Sequence, residues 1–318
     1  MTEDSQEKNY PRRAWVAFVL SLLFPGVGQI YCGKIRRGLV FGLLFLFLMP
    51  IYTLVFAHTF PIPTPWLMAS GALFLGICLI PCVDAARLAH RVRPDYRCKD
   101  YNRATIYILV TLIGGGAALG FDFYIRAYYF EAFRVPAASM YPTIIPNDRL
   151  IGNKTVYRRR DPLRGELAIF IPVVNRHQRY IKRVVALAGD TVEVRDGQLI
   201  VNDQLVPRTE LPDWTLASIP AEIPDGLNKG RLIQGTVYEE DNGRVCYRVI
   251  EANDQSRDKG DFAKTTVPEH HCFVLGDNRA HSFDSRAFGP VPLATLIARA
   301  DMLYCPSKDW SRFGPLTP

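Results

Sequence analysis

The sequence predicts two unlike halves: a multi-span α-helical membrane region over residues 1–121, then a mainly-β domain over residues 122–318, folded-sheet or barrel-like. Three observations carry this. Long apolar runs are confined to the first half, short alternating segments separated by turn pairs fill the second, and the charge is unequally divided. Of the net charge of +7, the first 121 residues hold +6 (12 Lys and Arg against 6 Asp and Glu) and the remainder +1. The basicity therefore reports loop orientation at a lipid bilayer. It is not the basic face of a nucleic-acid-binding domain, and no nucleic-acid partner is expected.

In the first half, residues 1–13 are polar and end in Pro11-Arg12-Arg13. The apolar run 14–31 follows without a small-x-small cleavage site. Phe24-Pro25-Gly26-Val27-Gly28-Gln29 interrupts it, so it is either a kinked span or a re-entrant hairpin. The stretch LSLLFPGVGQIYCGKIRRG resembles a short membrane-hairpin module that opens various small bacterial membrane proteins. Three spans are clearer. Residues 38–57 and 65–83 each supply about 20 residues, enough to cross ~30 Å of hydrocarbon. Residues 104–121 are glycine-rich at Gly114-Gly115-Gly116, which suits close helix packing. The loop between the last two spans carries Arg87, Arg91, Arg93, Arg97, Lys99 and Arg103, which marks it as the inside loop and puts everything after residue 121 outside. Lys34, Arg36 and Arg37 fall on the inside as well.

In the second half, strands are expected at residues 149–152, 166–171, 180–186, 191–195, 199–201, 244–251 and 272–275, divided by turn pairs such as Arg164-Gly165 and Gly189-Asp190. Asp196-Gly197 between two such strands is a two-residue hairpin signal. Residues 203–270 are more polar and irregular and read as an insertion on the β core. Cys246, Cys272 and Cys305 permit one disulfide and one free thiol. The sequence does not choose the pair; Cys246–Cys272 is preferred because both flank the segment running into Gly276-Asp277-Asn278-Arg279. The Cys and His spacing fits no zinc site, and no glycine-rich phosphate loop follows a strand, so no metal and no cofactor is expected.

The chemistry concentrates in three stretches. In Val135-Pro136-Ala137-Ala138-Ser139-Met140-Tyr141-Pro142-Thr143, two prolines keep Ser139 out of any helix and small residues leave room beside its hydroxyl. A serine needs a base. His177, His270 and His271 read as surface side chains, while His281 lies near the site without a role. Lys182 is the better base. On a strand it shares a face with Tyr180 and Val184, a setting that dehydrates an ammonium and lowers its pKa. Arg183, on the other face, reads as its solvated neighbour. In Gly276-Asp277-Asn278-Arg279-Ala280-His281-Ser282-Phe283-Asp284-Ser285-Arg286, alternating charges can lock a loop, and Ser282 can orient a nearby lysine amine.

With SMYPT (139–143), RGELAIF (164–170), YIKRVVALAGDTV (180–192) and GDNRAHSFDSRAFG (276–289) in that order, the chain resembles the bacterial type I signal peptidases, membrane-tethered Ser/Lys-dyad serine proteases. The resemblance covers residues 131–300 or so. It implies an extracytoplasmic catalytic domain at the inner membrane, with Ser139 as nucleophile and Lys182 as general base. It also implies that Ser282 orients the amine, that Asp284 and Arg286 support the site, and that the Ser139 N–H serves the oxyanion. The implied substrates are secretory preproteins, cut after small-x-small sites, with the protein-export machinery as a possible associate. A shallow pocket near Ala137, Ala138 and Met140 would fit the small residues. Two departures stand out: Ala137 occupies a position where many members carry a hydroxyl for the oxyanion, and the membrane region exceeds the usual one or two spans. The alternatives are a specialised processing peptidase of the same superfamily and a non-catalytic, membrane-anchored binding protein that keeps the scaffold.

Overall fold

The computed structural model describes residues 12–59, 64–92, 96, 99–173, 176–211, 235–252, 260–307 and 309–316. The chain divides into two compact units, Met1–Ala127 and Tyr128–Pro318.

The first unit is helical: α1 (Ala14–Leu23), α2 (Val27–Tyr31), α3 (Ile35–Thr59), α4 (Thr64–Arg91) and α5 (Ala104–Tyr128). The interrupted run at 14–31 becomes two short helices. Gly26, at φ 104°, makes the turn between them, and a side chain there would meet the Gly38 carbonyl oxygen at 2.1 Å. The ten residues of α1 rise only ~15 Å, half of a hydrocarbon core. Gln29 is fully buried and donates to the Pro81 carbonyl (2.7 Å) and the Asp84 carboxylate (3.1 Å), tying α2 to α4. Within the described residues, Met68–Arg91 and Ala104–Tyr128 are long and apolar enough to cross a membrane. The boundary at Ala127 lies beyond the expected residue 121 because α5 continues through Asp122 and Arg126. These pair one helical turn apart at 2.9 Å, so their charges do not break the helix.

The second unit carries the strands β1 (Phe130–Arg134), β2 (Arg149–Asn153), β3 (Leu167–Phe170), β4 (Tyr180–Leu187), β5 (Thr191–Arg195), β6 (Gln198–Val201), β7 (Gln204–Leu205), β8 (Arg208–Glu210), β9 (Gly235–Asp241), β10 (Cys246–Ala252), β11 (Phe262–Thr266), β12 (His271–Leu275), β13 (Val291–Pro292), β14 (Leu296–Cys305) and β15 (Gly314–Pro315), with short helices α6 (Val156–Arg159) and α7 (Ser285–Phe288). The main sheet runs β1-β2-β14-β3-β4-β12-β13, with β15 on β14, and its pairings are antiparallel. A four-stranded sheet, β11-β5-β6-β7, and a three-stranded sheet, β10-β9-β8, complete the domain. The β5–β6 hairpin turns at Asp196 (φ 52°) and Gly197 (φ 76°), the left-handed pair that the Asp-Gly signal demands.

The period-2 rule explains β3, which is buried throughout. Leu167 and Ile169 join one apolar cluster with Val135, Met140, Ile144 and Leu150, while Ala168 and Phe170 join another with Val184, Cys272 and Val274. Two expectations are corrected here. Cys246, Cys272 and Cys305 are all free thiols. Cys272 is packed in the second apolar cluster, whereas Cys246 is exposed at the start of β10 in a different sheet. The region 203–270 is not an irregular appendage where it is described, for it supplies β7 to β11 and the whole three-stranded sheet.

Candidate active site

Ser139 sits on the loop that leaves β1. Two backbone bonds pin the loop's start, Val135 N–H to the Asp148 carbonyl (2.9 Å) and Asn147 N–H to the Val135 carbonyl (2.7 Å). Tight turns then follow, with Tyr141 N–H donating to the Ala138 carbonyl (3.1 Å) and Ile144 N–H to the Met140 carbonyl (2.9 Å). The Gly276–Arg286 loop grips it from the other side. The Asn278 N–H and side-chain amide donate to the Ser139 and Ala138 carbonyls, each at 3.1 Å. Thr143 Oγ1 donates to Asp277 at 2.6 Å.

Strand β4 brings Lys182 to this loop, with its Nζ 2.5 Å from Ser139 Oγ. Lys182 is 4% exposed. Burial pulls its pKa from 10.5 down to about 8, against the opposing pull of the Asp284 and Asp277 carboxylates and with some help from Arg286. An amine in this state is neutral often enough at neutral pH to accept a hydroxyl proton.

Arg183 departs from expectation. It is 3% exposed, not solvated, because it makes a forked pair with Asp277 (2.7 and 2.6 Å), donates to the Gly165 carbonyl (2.8 Å) and lies 4.2 Å above the Tyr247 ring. Asp284 is fully buried and accepts from Gly276 N–H (3.0 Å) and from Arg286 Nε and Nη2 (both 2.9 Å). Burial alone would raise its pKa, but the Arg286 bonds outweigh that and hold the carboxyl below its usual range. Gly276 admits no side chain, since a Cβ would lie 2.2 Å from Ser282 Oγ and 2.5 Å from the Ser139 carbonyl oxygen.

Ser139, Lys182, Ser282 and Ala137 line one cleft of about 960 Å³, together with His281 and His177. Among the described residues, the buried Ser282 oxygen makes no well-aligned hydrogen bond, though it lies close enough to Asp284 to help hold that carboxyl ionised; the expected bond to the Lys182 amine is not made, and that amine is directed at Ser139. The expected substrate pocket is corrected in two of its three residues. Ala138 packs inward with Tyr141, Val237 and Ile250, and Met140 lies fully buried in the cluster beneath the cleft floor. Arg279, one of the alternating charges expected to lock the loop, does so through a partner outside it: its Nη2 reaches the buried Glu240 on β9 at 2.6 Å. The charge alternation marked Arg279, but its partner sits in another sheet. Among the described residues, no three His, Cys, Asp or Glu side chains gather to hold a metal ion.

A serine hydroxyl against a buried amine, on an antiparallel β scaffold, defines a class: Ser/Lys-type serine endopeptidases. The sequence model described as "Signal peptidase, peptidase S26" matches residues 105–305, and the chain belongs to that family. It is 33% identical to the probable signal peptidase I-2 of Synechocystis over 187 residues, which cover 57% of this chain and 66% of that protein. It is 31% identical to signal peptidase I of Aquifex aeolicus over 223 residues, 61% of this chain and 84% of the relative. A crystal structure of signal peptidase I from Enterococcus faecalis aligns at 29% identity over 44% of this chain and 96% of that one, with a TM-score of 0.24. The family is membrane-anchored, and it removes signal peptides from preproteins.

Proposed function

We propose that this chain is a membrane-bound endopeptidase that cuts signal peptides from exported preproteins after small-x-small sites, with Ser139 as nucleophile and Lys182 as general base. The observation that carries the reading is the 2.5 Å approach of Lys182 Nζ to Ser139 Oγ in a site where burial favours the neutral amine. Lys182 takes the Oγ proton as Oγ attacks the scissile carbonyl, then returns it to the leaving amine; water, deprotonated by the same amine, resolves the acyl-enzyme. The Ser139 N–H faces the developing oxyanion. Asp284, Arg286 and Asn278 hold the loop that fixes this geometry, and Ser282 lines the cleft beside it.

Strand β1 is the outer strand of the main sheet, and residues 133–137 line the cleft together with residues 177–182. An extended peptide can therefore lie along that free edge, its backbone bonded and its side chains alternating. Ala137 leaves room there for small residues. The Arg-rich segment before α5 supports a cytoplasmic position for that end by the positive-inside rule, which puts the β domain of this reading on the outer side of the inner membrane. Secretory preproteins reach it there as they leave the export machinery. The test is a preprotein series in nonionic detergent, with the two small residues before the cut replaced singly by Phe. Cleavage of the parent and loss with either Phe supports the reading; undiminished cutting of the Phe series refutes the small-residue requirement.

A further inference from the structure

Among the described residues, the cleft is lined by three basic side chains, Arg134, Arg179 and Lys182, and by no Asp or Glu. Two of the three are already engaged. Arg179 pairs with Glu131 and lies over the Phe133 ring, 5.4 Å from its centroid, and Lys182 is turned to Ser139. Arg134 is different. It is exposed, its bond is to a neutral acceptor, Asn147 Oδ1 at 2.7 Å, and no described carboxylate pairs with it.

The β1–β2 register sharpens this. Arg134 stands directly opposite Arg149, which is also exposed and also lacks a described carboxylate partner. Residues directly opposite in an antiparallel pair project from the same face, and like charges there repel. The strand pair thus holds two uncompensated guanidinium groups side by side, with Arg134 at the wall of a peptide-sized cleft and Arg149 directly across from it on β2. An arriving carboxylate would relieve that repulsion and could accept a forked pair of bonds from either group. A lysine in the same place would add to it.

We propose that the Arg134–Arg149 pair is a specificity site that selects peptides carrying an Asp or Glu side chain within the segment bound along β1. This rests on the peptidase reading above, since it assigns a preference to the same cleft. Specificity here is a difference between two substrates: the pair attracts one charge and repels the other. Because both guanidinium groups are exposed, the preference is salt-dependent and modest. Attraction and repulsion of roughly half a surface ion pair each give Asp over Lys by roughly fivefold in kcat/KM.

The test uses the full chain in nonionic detergent with one neutral preprotein-derived peptide. Asp, Asn or Lys is placed in turn at each of the several positions flanking the cut, and the two small residues are left intact. The expected result is one position, or two alternate positions on the same side of the strand, where kcat/KM falls in the order Asp, Asn, Lys. The difference should sit in KM and shrink in high salt. In Arg134→Gln, and further in the Arg134→Gln/Arg149→Gln pair, the Asp-to-Lys ratio falls below twofold, while Arg134→Lys keeps most of it. The ratio is read within each variant, so a change in overall activity does not obscure it. Equal kcat/KM for all three charges at every position overturns the proposal, as does a ratio that survives in the double variant. Failure to cut even the Asn series would instead refute the peptidase reading on which it rests.

Discussion

The pH dependence of cleavage is the sharpest consequence of the buried amine. With the Lys182 pKa at about 8, roughly one molecule in ten carries a neutral amine at pH 7, against roughly one in three thousand for an ordinary lysine at 10.5. Burial thus raises the supply of active base roughly 300-fold. The dependence of kcat/KM reports the free enzyme, so it should rise about tenfold per pH unit below 7, bend near 8 and level off by about 9. Stopped assays with a single preprotein in nonionic detergent between pH 5.5 and 9.5 would measure it. A profile that is flat across this range refutes the argument, and so does a midpoint above 10. A midpoint near 6.5 would point to an imidazole, and His281 in the same cleft would take the role given to Lys182. The same shift bears on stability. Between about 8 and 10.5 an unfolded chain holds the proton that the folded chain has released, so folding stability rises with pH there. Below about 8 the penalty for burying the charge is fully present, at about 3 kcal/mol. Lys182→Met should therefore raise Tm at pH 7 while abolishing cleavage.

Three further outcomes follow from the site's supports. Asp277→Ala leaves the buried Arg183 charge unpaired and strips Thr143 of its acceptor, so thermal unfolding of the β domain should show a loss of about 3–5 kcal/mol; an unchanged Tm would mean that Arg183 is not held as described. Gly276→Ala drives a methyl into the Ser139 carbonyl and Ser282, and should cut kcat at least tenfold with little change in KM; equal kcat would contradict the packing of that loop. Ala137→Ser adds a hydroxyl at the cleft wall two residues before Ser139, and should raise kcat, with one full oxyanion donor bounding the gain at roughly 3 kcal/mol. Unaltered kcat in that variant would show that the hydroxyl does not reach the oxyanion.

Most of the β core is legible in the sequence because its strands alternate. β5 runs over Thr191–Arg195 as expected, and the Asp196-Gly197 turn closes it onto β6. The ten-residue β14, by contrast, is hidden. Arg299 and Asp301 stand where an alternating pattern calls for apolar residues. They pair with each other at 2.5 Å, and Arg299 also reaches Glu166 at 3.1 Å, so the strand is buried with its charges satisfied inside the domain. Arg183 misled for the same reason: nothing near it in sequence names Asp277 and Tyr247, which arrive from β12's loop and from β10. Ser139 and Lys182 were legible as a pair because proline spacing and strand alternation set their surroundings locally. The gap between expectation and structure at Ala138 and Met140 is one of direction, since a turn and not a strand carries them and period-2 logic does not apply.

The measurement that tests the central claim most directly is cleavage of a secretory preprotein by the detergent-purified chain, alongside Ser139→Ala and Lys182→Ala, with thermal unfolding as a control for fold. The account predicts cutting after a small-x-small site by the parent chain and none above background by either variant, both remaining folded. Continued cutting by a folded Ser139→Ala or Lys182→Ala chain would contradict the assignment of nucleophile and base.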